Sequence, residues 1–189
     1  FSQGADTSIR VSNSQDVVIK NNSVLGLQQD PANFGVHVFD SDNVTIENNQ
    51  AGGYDVAYQI DRVSTGKINN NIVWAGSQID IGANKGIVVN QSNGATLDGN
   101  HFRTWSDSPI FSDEGTNIAA LTGIEVNNSQ GVDINNTLFT VTYFNEDFYG
   151  QPDHSAAVQT AFVFNNSGVT LHGTMLDSMF GTNIVDNVM

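Results

Sequence analysis

Cysteine is absent, which removes both a disulfide framework and any thiolate metal site. Cations are almost as scarce: 6 Lys and Arg stand against 20 Asp and Glu, a formal charge of −14. Nucleic acids and anionic membranes are bound chiefly through Lys and Arg, so this balance argues against both partners. No apolar run approaches the roughly 18 residues that a membrane-spanning helix needs. The opening FSQGADTSIR lacks the basic and apolar regions of a signal peptide, so an exported form is expected to carry its signal upstream.

What the chain does have is a repeat. Six segments align: VSNSQDVVIKNNSV (11–24), VFDSDNVTIENNQA (38–51), IDRVSTGKINNNIV (60–73), VNQSNGATLDGNHF (89–102), VNNSQGVDINNTLF (126–139) and FNNSGVTLHGTML (164–176). Their shared anchor residues are Ile19, Ile46, Ile68, Leu97, Ile134 and Leu171. Apolar and polar residues alternate around each anchor, as in Val17 and Ile19 or Val132 and Ile134, which is the period of a strand with one buried face. Such short strands cannot bury that face alone. Stacked in register about 4.8 Å apart, each covers the next. The expected fold is all-β, a right-handed parallel β-helix of six to seven coils forming a single domain over residues 1–189.

Three residues after the anchor stand Asn22, Asn49, Asn71 and Asn100, followed by Thr137 and Thr174. Stacking turns this position into an internal ladder, whose amides bond above and below. Asparagine also tolerates the left-handed backbone of a sharp corner.

The pattern GI-x-V-x-NS-x-x-V-x-I-x-NN-x-V resembles the parallel β-helix repeat of the pectin-lyase-like superfamily, over nearly the whole chain. That resemblance implies an extracellular or cell-surface protein that binds or modifies polysaccharide, among relatives such as pectate lyases, alginate epimerases and phage tailspikes. Tyr149-Gly150-Gln151-Pro152-Asp153-His154 has the letters of an alginate-epimerase signature, Tyr-Gly-x-Asp-Pro-His, in a different order. The polygalacturonase elements are missing, and the repeat itself specifies only a scaffold.

Anchor spacings of 27, 22, 29, 37 and 37 residues reveal inserts, all between the last apolar position of one repeat and the start of the next. Stacking brings them out along one side, where loops on a rigid scaffold carry function. Trp74, Trp105 and Tyr143, with Tyr54, Asp113 and Glu114, fall in these inserts and suit a sugar chain, which stacks its C–H face on rings. Proton abstraction beside a uronate carboxylate needs a base, an acid and a cation; Tyr149, His154 and Arg103 are the candidates, with Asp153 and Asp107 as further catalytic groups. A hydrolase would instead draw a carboxylate pair from Asp107, Asp113, Glu114, Glu146, Asp147 and Asp153. With so few cations, a polyuronate calls for Ca²⁺, and Asp40 and Asp42 in FDSDN are its candidate ligands. FGTNIVDNVM reads as the beginning of a seventh coil. Neither end reads as a polar cap, so flanking domains or self-association are expected to cover the strand edges. Two functions remain open: an enzyme on acidic polysaccharide, lyase or epimerase ahead of hydrolase, and a non-catalytic solenoid of an adhesin or tailspike.

Overall fold

The computed structural model describes residues 7–25, 34–75, 85–107, 122–144, 160–176 and 184–187. All regular structure among them is strand. The first coil holds β1 (Thr7–Ser12), β2 (Gln15–Lys20) and β3 (Ser23–Leu25). In the second, β4 (Phe34–Glu47) runs through the first bend and β5 (Gln50–Gly52) follows; the third repeats this with β6 (Val56–Asn69) and β7 (Ile72–Ala75). The fourth holds β8 (Lys85–Asn90), β9 (Thr96–Asp98) and β10 (His101–Asp107), and the fifth β11 (Thr122–Asn127), β12 (Val132–Asn135) and β13 (Leu138–Phe144). The sixth holds β14 (Thr160–Asn165), β15 (Val169–His172) and β16 (Met175–Leu176), and β17 (Ile184–Asn187) opens a seventh.

Every pairing is parallel, and the register follows the sequence repeat: Ile19, Ile46, Ile68, Leu97, Ile134 and Leu171 lie one above another. The result is the expected parallel β-helix, with three faces per coil. The first face runs β1, the start of β4, the start of β6, β8, β11, β14 and β17; the third runs β3, β5, β7, β10, β13 and β16. Alternation sends one residue in two inward, and Val36, Ile46, Tyr58, Ile60, Ile68, Ile87, Leu97, Phe102, Ile124, Ile134, Phe139 and Phe162 are completely buried. Gly86 and Gly123 leave room for rings, since a Cβ at either would lie 2.3 or 2.4 Å from Phe102 or Phe139.

The asparagine ladder is internal. Asn71 Oδ1 accepts from both the backbone N–H and the Nδ2 of Asn49, while Asn71 Nδ2 donates to the Ile46 carbonyl at 2.9 Å and to Asn100 Oδ1 at 3.2 Å. Asn49, Asn71 and Asn100 are buried; Asn22, in the first coil, is exposed. The corner falls elsewhere than expected. The left-handed residue is the one before the ladder (Asn21, Asn48, Asn70, Gly99, Asn136 and Gly173, with φ from 49° to 65°), so the two halves of each Asn-Asn pair have different tasks. The first turns the chain; the second, its side chain aimed inward, bonds the stack.

A second ladder went unread in the sequence. The hydroxyls of Ser41, Ser92, Ser129 and Ser167 each donate to the carbonyl two residues back and accept a backbone N–H from the preceding coil.

Candidate active site

The outward residues of the first face form two neighbouring rows, Arg10–His37–Gln59–Val88–Glu125 and Ser12–Phe39–Asp61–Asn90–Asn127. Strand alternation puts both rows outside, because Val36, Val38, Tyr58 and Ile60 occupy the inside. Where the rows cross coils two to four they build a polar cluster. His37 Nε2 lies 2.6 Å from Asp61 Oδ2; as a carboxylate only accepts, the imidazole donates its Nε2 proton. Gln59 Nε2 donates to the same oxygen at 2.8 Å, and Asn90 Nδ2 donates to Oδ1 at 3.0 Å.

Asp61 is 7% exposed. Burial raises its pKa, but the hydrogen bonds from His37, Asn90 and Gln59 outweigh it and hold the carboxyl below the usual value. An ionised Asp61 fixes the orientation and tautomer of His37, leaving Nδ1 with no hydrogen-bond partner among the described residues. The ring is held on both sides, its centroid 4.5 Å from that of Phe34 and 4.9 Å from that of Phe39. Arg10, one coil below His37, lays its guanidinium 4.9 Å from the Phe39 centroid. Together these residues set an oriented imidazole beside an exposed cation, the pairing that proton abstraction next to a carboxylate requires.

None of Arg10, His37, Asp61 or Asn90 was among the expected site residues. Their signal was present: in each first strand they hold outward positions that ordinary solvated residues also occupy. Only the register shows that His37 and Asp61, 24 apart, meet.

Of the expected residues, Trp74 and Arg103 come together on the third face, where they are register partners. Trp105, Asp107 and Tyr143 are corrected from loop to strand: β10 runs to Asp107 and β13 to Phe144, so these backbones lie in the same sheet rather than in inserts. The pairing of β10 with β13 continues the ladder beyond the last apolar position that the repeat had marked. Tyr54 is also corrected: it is 3% exposed and packs in the core, its hydroxyl bonded to Ser8. Asp113, Glu114, Tyr149, Asp153 and His154 lie outside the described residues.

Asp40 and Asp42 are engaged by neighbouring side chains. Arg62 Nε and Nη2 engage both Asp40 oxygens at 2.5 and 3.0 Å, which lowers the Asp40 pKa, and Ser64 donates to Asp42. Among the described residues no three His, Asp or Glu side chains converge on a metal position. Among the described residues, then, Asp40 and Asp42 find no further His, Asp or Glu to complete a calcium site.

Residues 1–119 match the family described as right-handed beta helix region. No curated protein and no solved structure matches the chain. Repeat, register and family match agree, and the chain belongs to the right-handed β-helix family.

Proposed function

We propose that this β-helix binds acidic polysaccharide along its first face and modifies it by abstracting the proton next to a uronate carboxylate, as a lyase or a C5-epimerase does. One observation carries the reading: His37 is oriented through Nε2 by a buried, ionised Asp61, with Nδ1 unpartnered among the described residues and Arg10 in the adjoining coil. In this reading Nδ1 takes the proton, Asp61 steadies the imidazolium, and Arg10 neutralises the carboxylate as charge builds on it. The acid that protonates the leaving group or the opposite face is not assigned; Tyr149 and His154 remain its candidates.

The experiment compares wild type with His37→Gln and Arg10→Gln on alginate and on pectate, reading unsaturated uronate by ultraviolet absorbance and inverted uronate by proton NMR. His37→Gln keeps a donor toward Asp61 but lacks the base, so turnover is expected to fall about 10²–10⁴-fold. Arg10→Gln is expected to weaken substrate binding and turnover while leaving the melting temperature near wild type.

The alternative is a non-catalytic solenoid, and one observation favours it too. Every bond to Asp61 except that from Gln59 crosses between coils, so the cluster also ties coils two to four together. A folded protein silent on all polyuronates, with His37→Gln altering stability alone, selects that reading.

A further inference from the structure

Asp61 orients more than His37. Its Oδ2 also accepts from Gln59 Nε2 at 2.8 Å, and its Oδ1 accepts from Asn90 Nδ2 at 3.0 Å. Because a carboxylate only accepts, each amide turns its nitrogen toward Asp61 and its oxygen away. Gln59 Oε1 and Asn90 Oδ1 are thereby held as acceptors; flipping either amide would set oxygen against oxygen.

Neither oxygen has a hydrogen-bond partner among the described residues. In an unbroken row the partner of Asn90 Oδ1 would be the amide one coil above, as Asn165 Nδ2 serves Asn127 Oδ1 at 2.7 Å. Asn127 Nδ2 is instead drawn to Glu125 Oε1 at 2.8 Å, and Lys85 holds the other oxygen of that carboxylate at 2.7 Å. The row is thus interrupted between the fourth and fifth coils. The register neighbours of the two amides on this face (His37, Val88, Asp61 and Asn127) are all described, and none donates to either oxygen. Nor are the oxygens sealed from solvent. Gln59 and Asn90 are half-buried, and the buried polar atoms left unpaired among the described residues are Asn69 Oδ1, Thr137 Oγ1 and Thr174 Oγ1.

We infer that Gln59 Oε1 and Asn90 Oδ1 are specificity-determining acceptors, which read free hydroxyls on the sugars adjoining the uronate at His37. The placement of that uronate rests on the proposed function. One coil rises about 4.8 Å, close to the length of one linked pyranose, so a chain lying along the face sets successive sugars against successive coils. Gln59 stands in the coil above His37, and Asn90 in the coil above that. A fixed acceptor favours a hydroxyl and is left unpaired by an acylated oxygen, which has no proton to give. The substrate class this selects is a polyuronate whose neighbouring sugars carry unsubstituted hydroxyls, against one that is O-acetylated.

The test compares alginate with the same alginate after O-acetylation, which leaves every carboxylate in place and so cancels the effect of charge. Binding is read by calorimetric titration, and turnover by ultraviolet absorbance and proton NMR. Wild type is expected to favour the unsubstituted chain by about tenfold or more in affinity and in kcat/KM. Steric exclusion of the acetyl group would give the same preference, so variants decide the cause. Asn90→Lys and Gln59→Lys keep a donor for Asp61 but carry no acceptor. Each is expected to shrink the preference severalfold, and the two together to abolish it. Equal affinity for both chains in wild type, or a preference unaltered by either variant in protein of wild-type melting temperature, would overturn the inference. If the variants unfold, a synthetic oligouronate lacking the neighbouring hydroxyls decides it on wild type. Such a ligand is smaller, so steric exclusion predicts no loss of affinity, and an unchanged affinity counts against the acceptors. Preferential binding without turnover would leave the acceptors assigned and contradict the catalytic reading; equal turnover of both chains would do the reverse. Binding of neither chain would overturn both.

Discussion

Single residues in this molecule are read by what lies one coil above and below. Asn71 illustrates it: its side chain satisfies backbone and side-chain groups of two neighbouring coils where no water reaches. Asn71→Ala leaves those groups unpaired and is expected to cost about 1–3 kcal/mol or more, measured by urea unfolding. Thr137 occupies the same position in the fifth coil, buried with its Oγ1 unbonded. Restoring the amide in Thr137→Asn is expected to raise the melting temperature by extending the ladder. His101 gives a pH dependence. Burial, then the Arg103 charge, lowers its pKa from 6.5, so the unfolded chain takes up this proton at higher pH than the folded one. Its contribution to stability is therefore complete above pH 6.5 and is lost as pH falls from there through the lower folded value. His101→Gln is expected to flatten that part of the stability profile relative to wild type. Alternation made the inward residues legible, and the Asn ladder with them. The division of labour between the two asparagines was not, because both tolerate a corner by chemistry and only the backbone shows which one turns.

Strands and inserts follow from a different balance. The inward column Phe102–Phe139 stacks with centroids 4.6 Å apart and planes at 13°, and Phe139 meets Phe162 edge-on at 5.5 Å. These rings fill the corner that Gly86 and Gly123 leave open. Gly123→Ala would put a methyl 2.4 Å from the Phe139 ring and 2.6 Å from the Ala161 carbonyl. Since the backbone oxygen cannot rotate away, the substitution is expected to destabilise by about 1–3 kcal/mol, read from thermal or urea unfolding. The insert boundaries were set too early in the sequence because alternation stops being apolar after Phe102 and Phe139. Strand pairing outlasts the apolar pattern: backbone hydrogen bonds carry β10 and β13 onward together to Asp107 and Phe144. This is why Arg103 and Trp105 read as loop residues yet belong to a sheet. What the inserts were expected to do remains visible in topology alone, since each longer one joins the third face to the first.

At the scale of the whole molecule, the helix is a device for setting residues from distant repeats beside one another on rigid faces. The repeat made the fold class readable, because six weak signals share one phase. It could not make the site readable. His37 and Asp61 sit in different repeats, at outward positions where sequence alternation permits any polar residue. Rare residue types gather in the inserts, whereas the His37–Asp61 cluster is built from common ones on the scaffold itself. The most direct test of this account is turnover of polyuronate by wild-type protein and by His37→Gln, both verified as folded. The account predicts unsaturated or inverted uronate with wild type and about a 10²–10⁴-fold loss with the variant. Equal turnover by the two proteins, or none by wild type on any polyuronate, would contradict it.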